Sequence, residues 1–424
     1  MRRRIILLAA FAVAFSASVA AQDRFPQPEF ESGYSLPETQ NPAPRSQAME
    51  YVDVGVLLLG LVVSGWLILK TRRRTPIVVL SIAAIAYFGI YRLGCVCPIG
   101  AIQNVALALA EPAYSLPVTV LLFFLLPIAA SLIAGRVFCG SVCPFGALQD
   151  LVTLNLLKLP RWLDRALRFL AVVYLGHAVL FAATGTDFII CRFDPFVGLF
   201  RLNATLPMLL FGAAMIVLSI FVGRPYCRYL CPYGVILGLF SRVSLVHTTI
   251  TPAECVSCGL CDDSCPVDAI RAPGPPLARP AYRREKSRFL IVLAALPLVL
   301  LIFWLSGRAI APAYASLHPE VRLLRQVNLE DAGLTTETTL ASETFRASRR
   351  TMAELVDAAA HASHTMVVGS SILWLFFGAA IWATALRRFV RSPGAGHEPI
   401  RELCVSCGRC HERCPIEHRE RDQR

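Results

Sequence analysis

The chain has 424 residues, 55% of them hydrophobic, with a mean hydropathy of +0.57 and a formal net charge of +12. That hydropathy excludes an ordinary soluble domain and points to a polytopic membrane protein. The positive charge does not imply a nucleic-acid partner: basic residues in such chains mark cytoplasmic loops, and no nucleic-acid-binding motif is present.

At the N-terminus, basic Arg2 to Arg4, apolar Ile5 to Ala17 and small Ser18-Val19-Ala20 read as a signal peptide over residues 1–21. An uncleaved anchor is the alternative, but the apolar stretch is short for a span. Residues 22–50 are polar and proline-rich, an exported linker. Seven apolar runs follow, at about 52–69, 76–93, 117–135, 169–187, 207–222, 289–306 and 367–386. Basic clusters orient them. Lys70, Arg72, Arg73 and Arg74 follow the first run; Lys158, Arg161 and Arg165 lie between the third and fourth. Arg279, Arg283, Arg284 and Lys286 precede the sixth, and Arg387, Arg388 and Arg391 follow the last. The alternation closes with the N-terminus periplasmic and the C-terminus cytoplasmic, and all three lysines fall inside.

The expected fold is therefore a mostly α-helical polytopic protein of the bacterial inner membrane, with about seven transmembrane helices. A membrane core covers 51–245 and a cytoplasmic segment 246–275; a linker and helix cover 276–306. A periplasmic loop covers 307–366, a helix 367–390 and a cytoplasmic tail 391–424.

Two cysteine runs are the sharpest signal. C-V-S-C-G-L-C-D-D-S-C-P begins at Cys255 and C-V-S-C-G-R-C-H-E-R-C-P at Cys404. Both match C-x2-C-x2-C-x3-C-P, which holds [4Fe–4S] clusters in bacterial ferredoxins. Zinc sites favour two separated C-x2-C pairs, and disulfides are disfavoured in the cytoplasm. In two-cluster ferredoxins the fourth cysteine ligates the other cluster. A split ferredoxin domain follows: Cys255, Cys258 and Cys261 with Cys414, and Cys404, Cys407 and Cys410 with Cys265. Two independent four-cysteine clusters are the alternative.

The other cysteines sit at membrane boundaries, in an internal repeat. G-R-V-F-C-G-S-V-C-P-F-G from Gly135 and G-R-P-Y-C-R-Y-L-C-P-Y-G from Gly223 each follow an outside-to-inside run. Each proline is expected to open a new helix. The helix N-terminus would then face an anionic cluster held by Cys139, Cys143, Cys227 and Cys231. Four buried structural cysteines are the bland alternative, which leaves the repeated Gly-Arg and Cys-Pro frame unexplained. On the exported side, G-C-V-C-P-I-G-A-I-Q from Gly94 has a counterpart in I-I-C-R-F-D-P-F-V-G from Ile189. Cys95, Cys97 and Cys191 are expected to meet there in an outer iron–sulfur site. Asp194 stands in the place of Cys97, as fourth ligand or close neighbour. Asp is also a good N-cap before proline, and Cys95 and Cys97 could instead pair oxidatively. The apolar half-helices after each Cys-Pro are expected to re-enter the membrane.

The paired C-x3-C-P motifs and the two ferredoxin runs resemble the NosR/NapH family of membrane polyferredoxins from about Gly94 onward. In that family NosR serves nitrous oxide reductase and NapH periplasmic nitrate reductase. The resemblance implies electron transfer linked to the quinone pool, with other redox-complex subunits and a periplasmic flavin, haem or metalloenzyme partner. NosR carries an N-terminal periplasmic flavin domain; a short linker stands here, so any flavin is expected on another subunit. The second ferredoxin run here follows an extra hairpin. His361 and His364, one turn apart in the exported loop, read as solvent-facing, and His177, mid-span, as a helix-packing residue. No phosphate loop, Rossmann fingerprint or hydrolase triad occurs.

The function expected is an electron conduit across the inner membrane, through two ferredoxin clusters, an inner membrane cluster and an outer site. Two rivals are a metal-handling membrane protein that uses the exported Cys-x-Cys for copper(I), and a redox sensor.

Overall fold

The computed structural model describes residues 46–94, 97–154, 156–201, 205–250, 255–272, 279–390 and 397–416. The expected signal peptide, nearly all of the linker, and Cys95 lie outside the described residues. The chain is mostly helical (74%).

Every apolar run of the sequence is a helix. Helices α1 (Gln47–Thr71) and α2 (Arg74–Tyr91) each end in π-helical turns. Arg72, with φ of 52°, closes α1 in the left-handed conformation. Then come α3 (Pro98–Ala110), α4 (Val118–Ala134), α5 (Pro144–Val152) and α6 (Arg161–Ala183). Short α7 (Ile189–Phe193) and α8 (Pro195–Arg201) lead to α9 (Leu206–Phe221), short α10 (Pro225–Tyr229) and α11 (Pro232–Ser241). Among the described residues, five stretches are long and apolar enough to cross a membrane: α1, α2, α6, Ser287–Ala315 and Met352–Leu386. Helices α4 and α9, with 17 and 16 residues, reach about 25 Å at 1.5 Å per residue, against a hydrocarbon core of about 30 Å.

The prolines of the four cysteine-motif frames each begin a helix. Pro98, Pro144, Pro195 and Pro232 are first residues of α3, α5, α8 and α11, and Cys97, Cys143 and Cys231 are the N-caps of their helices. Proline suits this place because its missing N–H would have had no intrahelical partner. One apolar core joins these elements; it contains Leu57, Phe88, Phe138, Phe145, Phe196 and Tyr233.

Beyond α11, α12 (Leu260–Asp263) and strand β1 (Ile270–Arg271) belong to the first ferredoxin run. Helices α13 (Arg279–Ala294) and α14 (Leu296–Ala315) lead to α15 (Pro319–Asp331), α16 (Leu340–Ala347) and the long α17 (Met352–Val390). Helices α14 and α17 both run past residues 307 and 366, the bounds expected for the loop. They pack closely because Gly307 lies under the Ser370 carbonyl, where a Cβ would stand 2.9 Å away. A small cluster of Leu180, Tyr314, Met366 and Phe377 fixes them to α6. His177 belongs to it: Nδ1 pairs with the Val173 carbonyl at 2.8 Å and Nε2 with the Tyr314 hydroxyl at 2.8 Å. Both ring nitrogens are used in packing. His361 and His364 are exposed on α17.

Strand β2 (Glu398–Pro399) pairs antiparallel with β1, Ile270 opposite Pro399 and Arg271 opposite Glu398. Ile400 N–H donates to the Ala269 carbonyl at 2.6 Å. The chain then ends its described part with α18 (Arg409–Arg413). The two ferredoxin runs, far apart in sequence, form one body.

Candidate metal centres

The two runs adopt the same local shape. Ser257 and Gly259 have φ of 54° and 76°; Ser406 and Gly408 have 52° and 74°. Left-handed residues at matched places curl each Cys-Val-Ser-Cys-Gly loop so that its thiols face inward, a conformation glycine adopts without cost. Cys255, Cys258 and Cys261 line a recess together with Cys414 and His397. Cys404, Cys407 and Cys410 line a second one together with Cys265. Each recess is lined by three cysteines of one run and the fourth of the other. The first lies near the surface, with Cys258 exposed. There the Cys255 thiol is held down at about 7 by hydrogen bonds from the His397 and Ser257 backbone and the His397 ring, which favours the ligating thiolate. The second is interior, and burial pushes Cys404 and Cys410 up.

The inner membrane motif is equally convergent. Cys139 lies in a π-helical turn (Phe138–Val142), Cys143 caps α5, Cys227 lies in α10 and Cys231 caps α11. Each thiol is close enough to interact electrostatically with others of the set. A Cβ added to Gly146 would stand 3.5 Å from Cys227 Sγ and 3.6 Å from Cys143 Cβ, so glycine admits the sulfurs. Donors reach three sulfurs: Gly234 N–H to Cys231 at 3.4 Å, Gln149 Nε2 to Cys227 at 3.4 Å and Arg136 Nη2 to Cys139 at 3.7 Å. Such donors favour the more negative state of a sulfur-ligated group.

The motif around Cys97 and Cys191 repeats that frame. In C-P-F-G-A-L-Q, Gln149 accepts from Tyr226 N–H at 3.1 Å, next to Cys227. In C-P-I-G-A-I-Q, Gln103 accepts from Ile190 and Cys191 N–H at 3.0 and 3.3 Å. Cys97 lies within electrostatic reach of Asp194 and Cys191, and a Cβ on Gly100 would be 3.5 Å from Cys191 Sγ. Asp194 is fully buried; its Oδ1 accepts from Phe196 N–H at 2.9 Å, the helix-capping role. The Asp194 carboxylate also faces the buried Tyr226 hydroxyl, and Gln103 Nε2 is buried without a hydrogen-bond partner. Two of the three exported cysteines and Asp194 thus converge; Cys95 lies outside the described residues. Cys97 and Cys143 line one apolar recess with Leu57, Phe88, Phe138 and Phe196, so the outer and inner motifs stand back to back.

Buried charge ties the core to the ferredoxin body. Asp150 on α5 pairs with Arg74 at 2.7 Å, Arg409 at 3.2 Å and Arg224 at 3.5 Å. Burial alone would push Asp150 up, but these guanidiniums hold it well below the usual carboxylate range. Asp164 pairs with Arg168 and Arg228, which donate to the carbonyls of Val267 and Pro266 at the end of the first run. Composition and spacing gave no sign of these knots. A buried arginine reads in sequence as one more basic loop residue; only the repeated Gly-Arg of Arg136 and Arg224 marked the place.

Among the described residues no group of three or more His, Cys, Asp or Glu could hold a single metal ion. A family model described as "4Fe-4S binding domain" matches residues 116–169 and 204–249, the two stretches that carry the inner motif. A second model of the same description matches 248–271, the first ferredoxin run. The chain is 30% identical over 120 residues to YccM of Escherichia coli K12, whose name assigns it provisionally to electron transport. It is 30% identical over 112 residues to protein NirI of Paracoccus denitrificans, and 35% over 65 residues to regulatory protein NosR of Pseudomonas aeruginosa. These likenesses are to iron–sulfur proteins of the NosR type. Matched stretches cover 26%, 26% and 15% of this chain and 33%, 16% and 9% of those relatives, so the relatives' whole-protein roles do not transfer by length. No solved structure matches the chain. The matched family models are of iron–sulfur-binding domains, and they cover the inner cysteine motif and the first ferredoxin run.

Proposed function

We propose that this chain carries electrons across a bacterial inner membrane along four successive thiolate sites. In order, these are Cys255, Cys258, Cys261 and Cys414; then Cys265, Cys404, Cys407 and Cys410; then Cys139, Cys143, Cys227 and Cys231; then Cys95, Cys97, Cys191 and Asp194. When bound, iron–sulfur clusters supply one-electron centres fixed in the protein. Continuity between sites is the observation that carries the reading. Gly140, beside Cys139, is pressed against the Val405 and Ser406 carbonyls of the second run. Leu57, Phe88, Phe138 and Phe196 exclude water between Cys143 and Cys97. Cys258 at one end and Cys191 at the other are exposed, where donors and acceptors can approach.

Basic loops orient the chain, with the ferredoxin body cytoplasmic and Cys191 periplasmic. In this reading α4 and α9 complete seven spans, and α3, α5, α8 and α11 are re-entrant half-helices of an internal repeat. A flavin, haem or metalloenzyme in the periplasm and other subunits of a redox complex are the partners this arrangement fits. Iron and sulfide quantification with EPR on wild type, Cys191→Ser and Asp194→Ala tests it. About four tetranuclear clusters are expected in wild type and about three in Cys191→Ser. Only two would refute the relay, and copper in place of iron at the outer site would establish a metal-handling role.

A further inference from the structure

We propose that Asp150 and its three arginines form a charge bridge that couples the second ferredoxin site to the inner membrane site and sets the potential of both. The proposal rests on the cluster sites read above. Arg74 donates through Nη1 to the Cys407 carbonyl at 2.9 Å and through Nη2 to Asp150 Oδ2 at 2.7 Å. Across the same carboxylate, Arg224 donates through Nη1 to the Cys139 carbonyl and through Nη2 to the Gly140 carbonyl at 3.0 Å. Arg409, next to Cys410, donates to the Asp150 carbonyl at 2.8 Å. Hydrogen bonds and ion pairs therefore run without a break from the backbone of Cys407 to that of Cys139.

The bridge is also unbalanced. Three guanidiniums face one buried carboxylate, Arg224 and Asp150 being among the most buried charged groups of the chain. Glu412, which reaches Arg74 at 3.4 Å, is half exposed and screened by water. The thiol of Cys407 lies within electrostatic reach of Arg74, Arg224 and Arg409, and those of Cys139 and Cys227 within reach of Arg224. Excess positive charge at low dielectric favours the reduced, more negative state of a thiolate-ligated group. A purely structural knot would need charge balance, which a second carboxylate or fewer arginines would supply. Arg224 keeps its place although its φ of 50° lies in the left-handed region, unusual for a side chain of that size.

Redox titration of the purified full chain, followed by EPR, tests the bridge with variants of opposite sign. Arg409→Gln removes a positive charge, and the reduced-to-oxidised ratio of the Cys407 site at fixed ambient potential should fall about tenfold, a shift of about 59 mV for one electron. Asp150→Asn and the half-exposed Glu412→Gln should move it the other way, Glu412→Gln less. Arg409→Lys should restore most of the wild-type value. Unchanged potentials, or shifts of one sign in all variants, with iron content intact, would overturn the bridge and leave the cluster relay standing. Loss of the Cys407-site signal from wild type itself would overturn both. If Asp150→Asn fails to assemble, Glu412→Gln and the Arg409 pair still decide the sign.

Discussion

Replacing Gly140 with alanine puts one methyl group between the inner cysteine loop and the ferredoxin backbone. A Cβ there would stand 2.7 Å from the Ser406 carbonyl oxygen, 2.8 Å from that of Val405 and 3.2 Å from the Ser406 carbonyl carbon. All three are backbone atoms, held by the curled Cys404 loop, so neither side can turn a rotamer to make room. Overpacking of this kind costs about 1–3 kcal/mol, which raises the undocked fraction of the second run about 5- to 140-fold. Amide hydrogen exchange on the holoprotein in detergent reads the effect directly. Peptides over 397–416 should exchange faster, while those of α14 and α17 should not change. Gly55→Ala is the control, because nothing lies within 4 Å of the Cβ it would add. Wild-type exchange over 397–416 in Gly140→Ala would refute the close approach on which the relay depends.

Other perturbations separate the parts of the account. Cys414→Ser should remove the surface cluster and spare the buried one, and Cys265→Ser should do the reverse; EPR that loses the cluster of the mutated run itself would contradict the crossed assignment. Asp150 has a folded-state pKa below its unfolded value of about 3.9. Its contribution is therefore full above about pH 4 and is lost as pH falls below that. Breaking this buried network costs about 3–5 kcal/mol, so Asp150→Asn should release iron earlier than wild type at pH 6, and the difference should narrow toward pH 3; a constant difference would exclude the ionised carboxylate as its source. Gln149→Leu removes a donor to Cys227 and should lower the potential of the inner site alone, whereas Gln103→Leu should alter only signals that also respond to Cys191→Ser.

The elements that the sequence disclosed are those with strong local causes. Apolar runs marked the long helices, and a proline after a cysteine or after Asp194 marked α3, α5, α8 and α11, because proline at the first helical position and a capping residue before it are local choices. The spacing of each ferredoxin run is likewise local, whereas the meeting of three cysteines of one run with the fourth of the other needed the fold. What was hidden depends on distant partners. Arg74 looks like the end of a topogenic cluster, yet it is buried against Cys407, 333 residues away in sequence. Asp150 and Asp164 look like loop acids, yet each anchors one ferredoxin run. Gln103 and Gln149 were visible as a repeated letter after the Cys-Pro, but their role in holding Cys191 and Cys227 needed the fold. Asp194 caps its helix through Oδ1 and stands close to Cys97 and Cys191.

Transmembrane electron transfer in sealed proteoliposomes tests the central claim most directly. With a membrane-impermeant reductant outside and an impermeant acceptor trapped inside, wild-type protein should reduce the trapped acceptor, and Cys143→Ser, which breaks the middle of the relay, should not. An acceptor that stays oxidised with fully loaded wild-type protein, or one that is reduced equally well with Cys143→Ser, would contradict the account.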